Sequence, residues 1–188
     1  MIALRLQRFS FALLPLFFLA AASPLQTGSI AHVTLRDVDE NEHSTSSGHV
    51  TIITVVTRQS EAKAQAVADH VPDRCIGDRR YAYITLVNFQ KKLFPLLQGL
   101  TKTIIRNRLD AEANRLRPEY TAKHIGHDPR QDIFVVADFD GKAVAQLGLT
   151  PEYDGVAIFV FNGHGKLVAR WNDVPSEDAL AKAISAAE

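Results

Sequence analysis

The chain has 188 residues, is 46% hydrophobic and carries 21 basic against 21 acidic side chains, which suits one ordinary core and gives no global reason to expect nucleic acid as a partner. A charged fraction of 22% argues against disorder. The single cysteine, Cys75, excludes an intrachain disulfide, a multi-cysteine zinc or iron–sulfur centre and a two-cysteine redox pair.

Arg5 and Arg8 precede the apolar run Phe9 to Ala22, and Ala20 and Ala22 are the small residues a signal peptidase accepts. The run is too short for the roughly 20 residues that span a bilayer, so residues 1–22 are expected to be a cleaved signal peptide. No cysteine follows at which a lipid could be attached, so the mature chain should have no stable membrane anchor and should be periplasmic or secreted. Residues 23–32 read as a polar lead and 33–188 as one domain.

Val33 to Arg36 read as a first strand and Asp37 to Gly48 as polar turn material. Val50 to Val56 is nearly continuous apolar sequence, the pattern of a strand covered on both faces. Ser60 opens an alanine-rich helix to about His70, with Ser60 expected as its N-cap and Pro72 beyond its end. A second buried strand follows over Tyr81 to Phe89. From Lys91 to Arg117, Leu93, Leu96, Leu97, Leu100 and Ile104 recur at helical spacing, and Pro118 is expected to break the helix. A third strand over Ile133 to Ala137 leads to a short helix from Ala143 to Leu147. Val156 to Phe161 and Lys166 to Trp171 form a hairpin about the turn Asn162 to Gly165. Ser176 caps a last helix with Leu180, Ala183, Ile184 and Ala187 on one face. The expected core includes Ile52, Val55, Ile84, Leu86, Val135, Ile158, Val160 and Leu180. Strands alternating with helices imply an α/β fold, a mainly parallel sheet covered on both faces with antiparallel strands added by the hairpin.

This order, with its closing hairpin and helix, resembles the thioredoxin-like superfamily, in particular the branch of peroxiredoxins and exported thiol–disulfide reductases. The resemblance spans Val33 to Ala187 and rests on the turn Asp37-Val38-Asp39-Glu40-Asn41, on Val-Val-Ala-Asp-Phe-Asp-Gly at 135–141, on Gln146-Leu147-Gly148-Leu149, and on His164-Gly165-Lys166-Leu167-Val168. It implies a mixed central sheet with helices on both faces and a redox cysteine where the first long strand meets its helix. Backbone N–H groups and the helix dipole stabilise a thiolate there. This sequence has Thr57-Arg58-Gln59-Ser60 at that place, so Thr57-x-x-Ser60 is similar to a peroxiredoxin Thr-x-x-Cys with serine for cysteine. The proline expected before the threonine is replaced by Ile53, and the family's cis-proline by Val156. A cis bond before valine would cost about 2.5–4 kcal/mol, so a trans bond is expected. A serine hydroxyl cannot replace a thiolate without a positioned general base.

Cys75 falls after the first helix, where the carbonyl end disfavours a thiolate although Arg74 partly offsets it, and it reads as a structural thiol. The competing reading makes Cys75 the nucleophile of a single-cysteine oxidoreductase or peroxidase. His124, His127 and Asp128 form a partial metal set on a loop, with no further ligand assignable. Asp37, Asp39 and Asn41 begin like a calcium loop, but Glu42 stands where glycine is needed and Gly48 where the bidentate acid belongs. No metal or cofactor is therefore expected. Lys91, Lys92, Lys102, Arg106, Arg108, Arg115, Arg117 and Lys123 outnumber the nearby acids. Arg106 with Asp110 and Arg108 with Glu112 are spaced as helical ion pairs, and Arg106, Arg108 and Arg115 are the candidate docking residues for a protein partner. Trp171 reads as core or rim packing. The expected function is that of an exported thioredoxin-fold binding or assembly module without thiol–disulfide activity.

Overall fold

The computed structural model describes residues 24–90 and 93–188, so the expected signal peptide, Lys91 and Lys92 lie outside the described residues. Among the described residues seven strands and four α-helices follow one another as β1 (Thr34–Arg36), β2 (Glu42–Ser44), β3 (Val50–Val56), α1 (Glu61–Asp69), β4 (Tyr81–Asn88), α2 (Pro95–Ala122), β5 (Phe134–Asp138), α3 (Lys142–Gln146), β6 (Ala157–Phe161), β7 (Leu167–Trp171) and α4 (Glu177–Ala187). β1 and β2 pair as a small antiparallel hairpin, and the other five strands form one sheet in the order β5-β4-β3-β6-β7. β4 is parallel to both β3 and β5, whereas β6 is antiparallel to both β3 and β7.

Every residue of β3 is buried because the sheet is covered on both sides. Ile53 and Val55 join Leu35, Leu86, Val144, Leu147 and Phe159 on the face covered by α3 and the β1–β2 hairpin. Ile52 and Val56 join Val67, Ile158, Val160, Leu180 and Ile184 on the face covered by α1 and α4. Ser176 caps α4 as expected, its hydroxyl accepting from the Ala179 N–H at 3.3 Å.

Three expectations need correction. The stretch after Arg36 is not only turn material, because Glu42 to Ser44 return along β1; Asp37 closes that return by accepting from the Asp39 and Asn41 N–H groups at 2.8 and 2.9 Å. On β5, Val136 is the buried residue and Val135 is only half-buried, a one-residue error that inverts the side of a strand. The long helix starts at Pro95, where a missing N–H costs nothing, and runs through Pro118 to Ala122. Proline's fixed φ suits a helix, and the turns around it are held from outside by Tyr120 to Asp132, Arg117 to Asp128 and Lys123 to Asp73. The helical stripe of α2 lies outside the core. Phe94, Leu96, Leu97, Leu100 and Ile104 are all exposed, Leu96 at 85%.

Candidate functional site

The chain leaves β3 at Val56 and turns through Thr57 to Ser60 before α1. Val55 pairs with Ala157, so Thr57 and Val156 lie at the same end of the sheet. Within the turn the Ser60 N–H donates to the Thr57 carbonyl at 3.1 Å. The Ser60 hydroxyl accepts from the Thr57 N–H at 2.9 Å and lies 3.2 Å from the Thr57 hydroxyl. Ser60 therefore occupies the N-cap position without capping. The Lys63 N–H is taken by the Ser60 carbonyl at 2.9 Å, and the side chain is free to turn back. All hydrogen-bond partners of that hydroxyl belong to Thr57, so no imidazole or carboxylate stands ready to deprotonate it. Arg58 is exposed and Thr57 is buried.

Val156 is buried in the layer under α1 and α4, and its preceding peptide is trans. Its carbonyl accepts the Tyr153 hydroxyl at 2.8 Å. Gly155 permits this crossing, since a Cβ there would meet the Tyr153 oxygen at 2.7 Å. Burial pushes the Tyr153 phenol above its ordinary range. Asn88 completes the support, donating to the carbonyls of Pro151 and Tyr153 at 3.0 Å each. Neither Asn88 nor Tyr153 stood out in the sequence, because both act on backbone atoms more than 60 residues away or across an irregular loop.

No protein-family model matches the chain, and no curated protein sequence does. Among solved structures, peroxidoxin BcpB from Mycobacterium tuberculosis is 16% identical, with 86% of this chain and 95% of that one covered at a TM-score of 0.51. A peroxiredoxin-like protein from Aquifex aeolicus is 14% identical, with 88% and 90% covered at a TM-score of 0.50. The fold is thioredoxin-like. Identities this low carry the thioredoxin-like fold and nothing of its activity.

Cys75 ends a single 3-10 turn (Asp73–Cys75) beyond α1 and has 0% exposure. Nine helical residues, about 14 Å of rise, separate it from Ser60. The charge that was expected to assist it is engaged elsewhere: Arg74 donates to the Tyr81 hydroxyl at 3.0 Å, to Ser185 at 2.8 Å and to Glu188. Burial also pushes the neighbouring Tyr83 phenol far above its ordinary range, and its oxygen is buried without a hydrogen-bond partner.

The arginines of α2 are also engaged within the chain. Arg106 pairs with Asp39 at 3.0 Å, Arg108 with Glu61 at 3.2 Å and Arg115 with Glu112 at 2.5 Å. Two of the expected helical pairs do not form, because Asp110 instead meets Arg130 at 3.1 Å and Glu112 meets Arg115. Lys102 likewise reaches Glu40 at 2.6 Å. Lys102 and Arg106 fasten α2 to the β1–β2 turn and Arg108 fastens it to α1, whereas the Arg115 pair lies within the helix.

Beneath α2 lies an open chamber of about 880 Å³ between the helix, α1 and the β4–β5 face. Ile105, Leu109 and Leu116 line it from above, and Tyr83, Val87 and Val135 from the sheet. The loop set at 124–128 does not converge: His127 meets Asp132 at 2.6 Å, while Asp128 accepts from the Arg130 N–H and pairs with Arg117. Among the described residues, no cluster of three His, Cys, Asp or Glu side chains could hold a metal ion, and no helix is long and apolar enough to cross a membrane. Trp171 is half-buried at the rim of the layer under α4.

Proposed function

We propose that this is an exported thioredoxin-fold protein that acts by binding and not by thiol chemistry. The observation that carries the reading is the disposition of Cys75: the only thiol is fully buried about one helix length from the helix entrance, and Thr57 and Ser60 at that entrance satisfy each other. A peroxide or disulfide has no accessible sulfur to meet without opening of the fold. Export rests on Arg5, Arg8 and the apolar run to Ala22, and places the mature protein in the periplasm or outside the cell. Arg106 and Arg108 fasten α2 to Asp39 and Glu61, and Arg115 is paired with Glu112 of the same helix, so the docking surface is placed instead at the exposed apolar residues of its first turns.

The test compares wild type with Cys75→Ser in thiol titration, insulin reduction and peroxide consumption. Both should match buffer in the two activity assays, and the wild-type thiol should titrate only after denaturation. Steady peroxide turnover by wild type that disappears in Cys75→Ser would overturn the reading and make Cys75 the nucleophile. Mass spectrometry of the protein from its native host should show loss of residues 1–22.

A further inference from the structure

We infer that the chamber beneath α2 is a binding site for one long acyl chain, entered past the exposed turns at the start of that helix. The inference rests on the binding-module reading and specifies its ligand. Its first support is shape. From Ile105 to Tyr120 the roof rises through 15 helical steps, about 22 Å, and the half-open volume of about 880 Å³ lies within the range of small-molecule sites. A space of that length can hold an extended chain.

The second support is chemistry. Leu109, Leu116, Val87 and Val135 make the walls apolar, and Arg108 and Arg115 on the rim already have carboxylate partners in Glu61 and Glu112. Asp69, Asp73, Asp78, Glu119 and Asp132 also border the chamber and are held by Gln65, Lys123, Arg80, Lys123 and Tyr120, so the gain open to a ligand is that of hydrocarbon leaving water. Tyr83 contributes a buried hydroxyl without a hydrogen-bond partner among the described residues, able to donate to a carboxyl or ester oxygen.

The third support is continuity with an exposed surface. Leu97, Leu100, Ile104 and Arg108 fall on one side of α2 by helical spacing, and Arg108 reaches Glu61, the first residue of α1. Leu97, Leu100 and Ile104 therefore continue past the end of α1 as an apolar approach to the chamber. They are 46%, 58% and 48% exposed, an arrangement that disfavours solubility unless it meets an apolar ligand.

The experiment follows fluorescence of N-phenyl-1-naphthylamine added to the full mature protein, then its displacement by palmitate or by phosphatidylglycerol vesicles. Wild type should take up one equivalent of probe, and palmitate should displace it. Leu116→Trp and Val87→Trp, which fill the chamber from opposite walls, should each weaken uptake by about tenfold or more with unchanged circular dichroism. Tyr83→Phe should weaken palmitate binding by about fivefold and leave the probe unaffected. The triple variant Leu97→Glu, Leu100→Glu, Ile104→Glu should slow transfer from vesicles while retaining affinity for free palmitate. Displacement by palmitate alone assigns a free acid, and displacement by vesicles as well assigns a lipid-borne chain; both support the site. No probe uptake by wild type, or uptake unchanged in both tryptophan variants, overturns it. Cys75 also borders the chamber, but peroxide consumption reads its sulfur and probe uptake reads the apolar walls, so either result can fail without the other.

Discussion

β3 has all seven of its residues buried between β4 and β6, whereas α2, four times as long, buries only Leu109, Ala113 and Tyr120. The strand is held by apolar contact on both faces. The helix is held at its flanks by Lys102 to Glu40, Arg106 to Asp39, Arg108 to Glu61 and Lys123 to Asp73, with a chamber under its middle. Partly exposed ion pairs each contribute little, so the helix can loosen on its own while the sheet stays intact. A single chain thus contains a rigid frame and a separable roof.

The largest expected effect tests the frame. Phe159→Ala removes a fully buried ring from β6 and should cost about 3–5 kcal/mol in urea denaturation. A loss as small as that of an exposed residue such as Leu96 would erase the contrast between the regions.

Next comes Asp37, which secures the turn that anchors Arg106. Burial alone would raise its pKa, but hydrogen bonds from His43, Asn41 and Asp39 prevail and hold it below 3.8, its ordinary value. A carboxylate with a depressed folded pKa contributes stability that is present above the unfolded value and lost as pH falls through the folded one. Wild type should therefore lose stability in acid below 3.8, and Asp37→Asn should be about 1–3 kcal/mol less stable at neutral pH with a shallower acid limb. Denaturation midpoints across pH measure both.

Pro118→Ala would restore the N–H that can reach the Asn114 carbonyl in the next-to-last turns of α2. The helix should gain about 1 kcal/mol, read as slower amide exchange confined to α2. The smallest effect is that of a single fastener. Arg108→Ala should cost about 0.2–1 kcal/mol. Raising salt from about 0.1 to 1 M, which shortens screening from about 10 to 3 Å, should speed exchange in α2 and leave β3 unchanged.

What could be read from sequence divides along the same line. The boundaries of β3 and the presence of β6, β7 and α4 followed from local pattern, since apolar runs, a turn and a capping serine each signal themselves within a few residues. The continuation of α2 through Pro118 did not, because its supports come from Asp73, Asp128 and Asp132. Thr57, Ser60 and Val156 were placed at one end of the sheet by resemblance, yet the direction of the Ser60 hydroxyl depends on a backbone geometry that no spacing reveals. Arg106 and Arg108 had plausible partners four residues on, but carboxylates at Asp39 and Glu61, 67 and 47 residues away in sequence, take them instead.

The hydrogen bonds outside the sheet proper have a bearing on self-association. Along β7, Gly28 and Ala31 donate to the carbonyls of Leu167 and Gly165, and Leu167 donates back to Ser29. Along β5, the Val38 N–H takes the Val135 carbonyl. Both outer strands thus spend backbone groups on the protein's own loops, which withholds them as templates for an incoming strand. Growth into fibrils by edge addition would first have to peel one of these loops away.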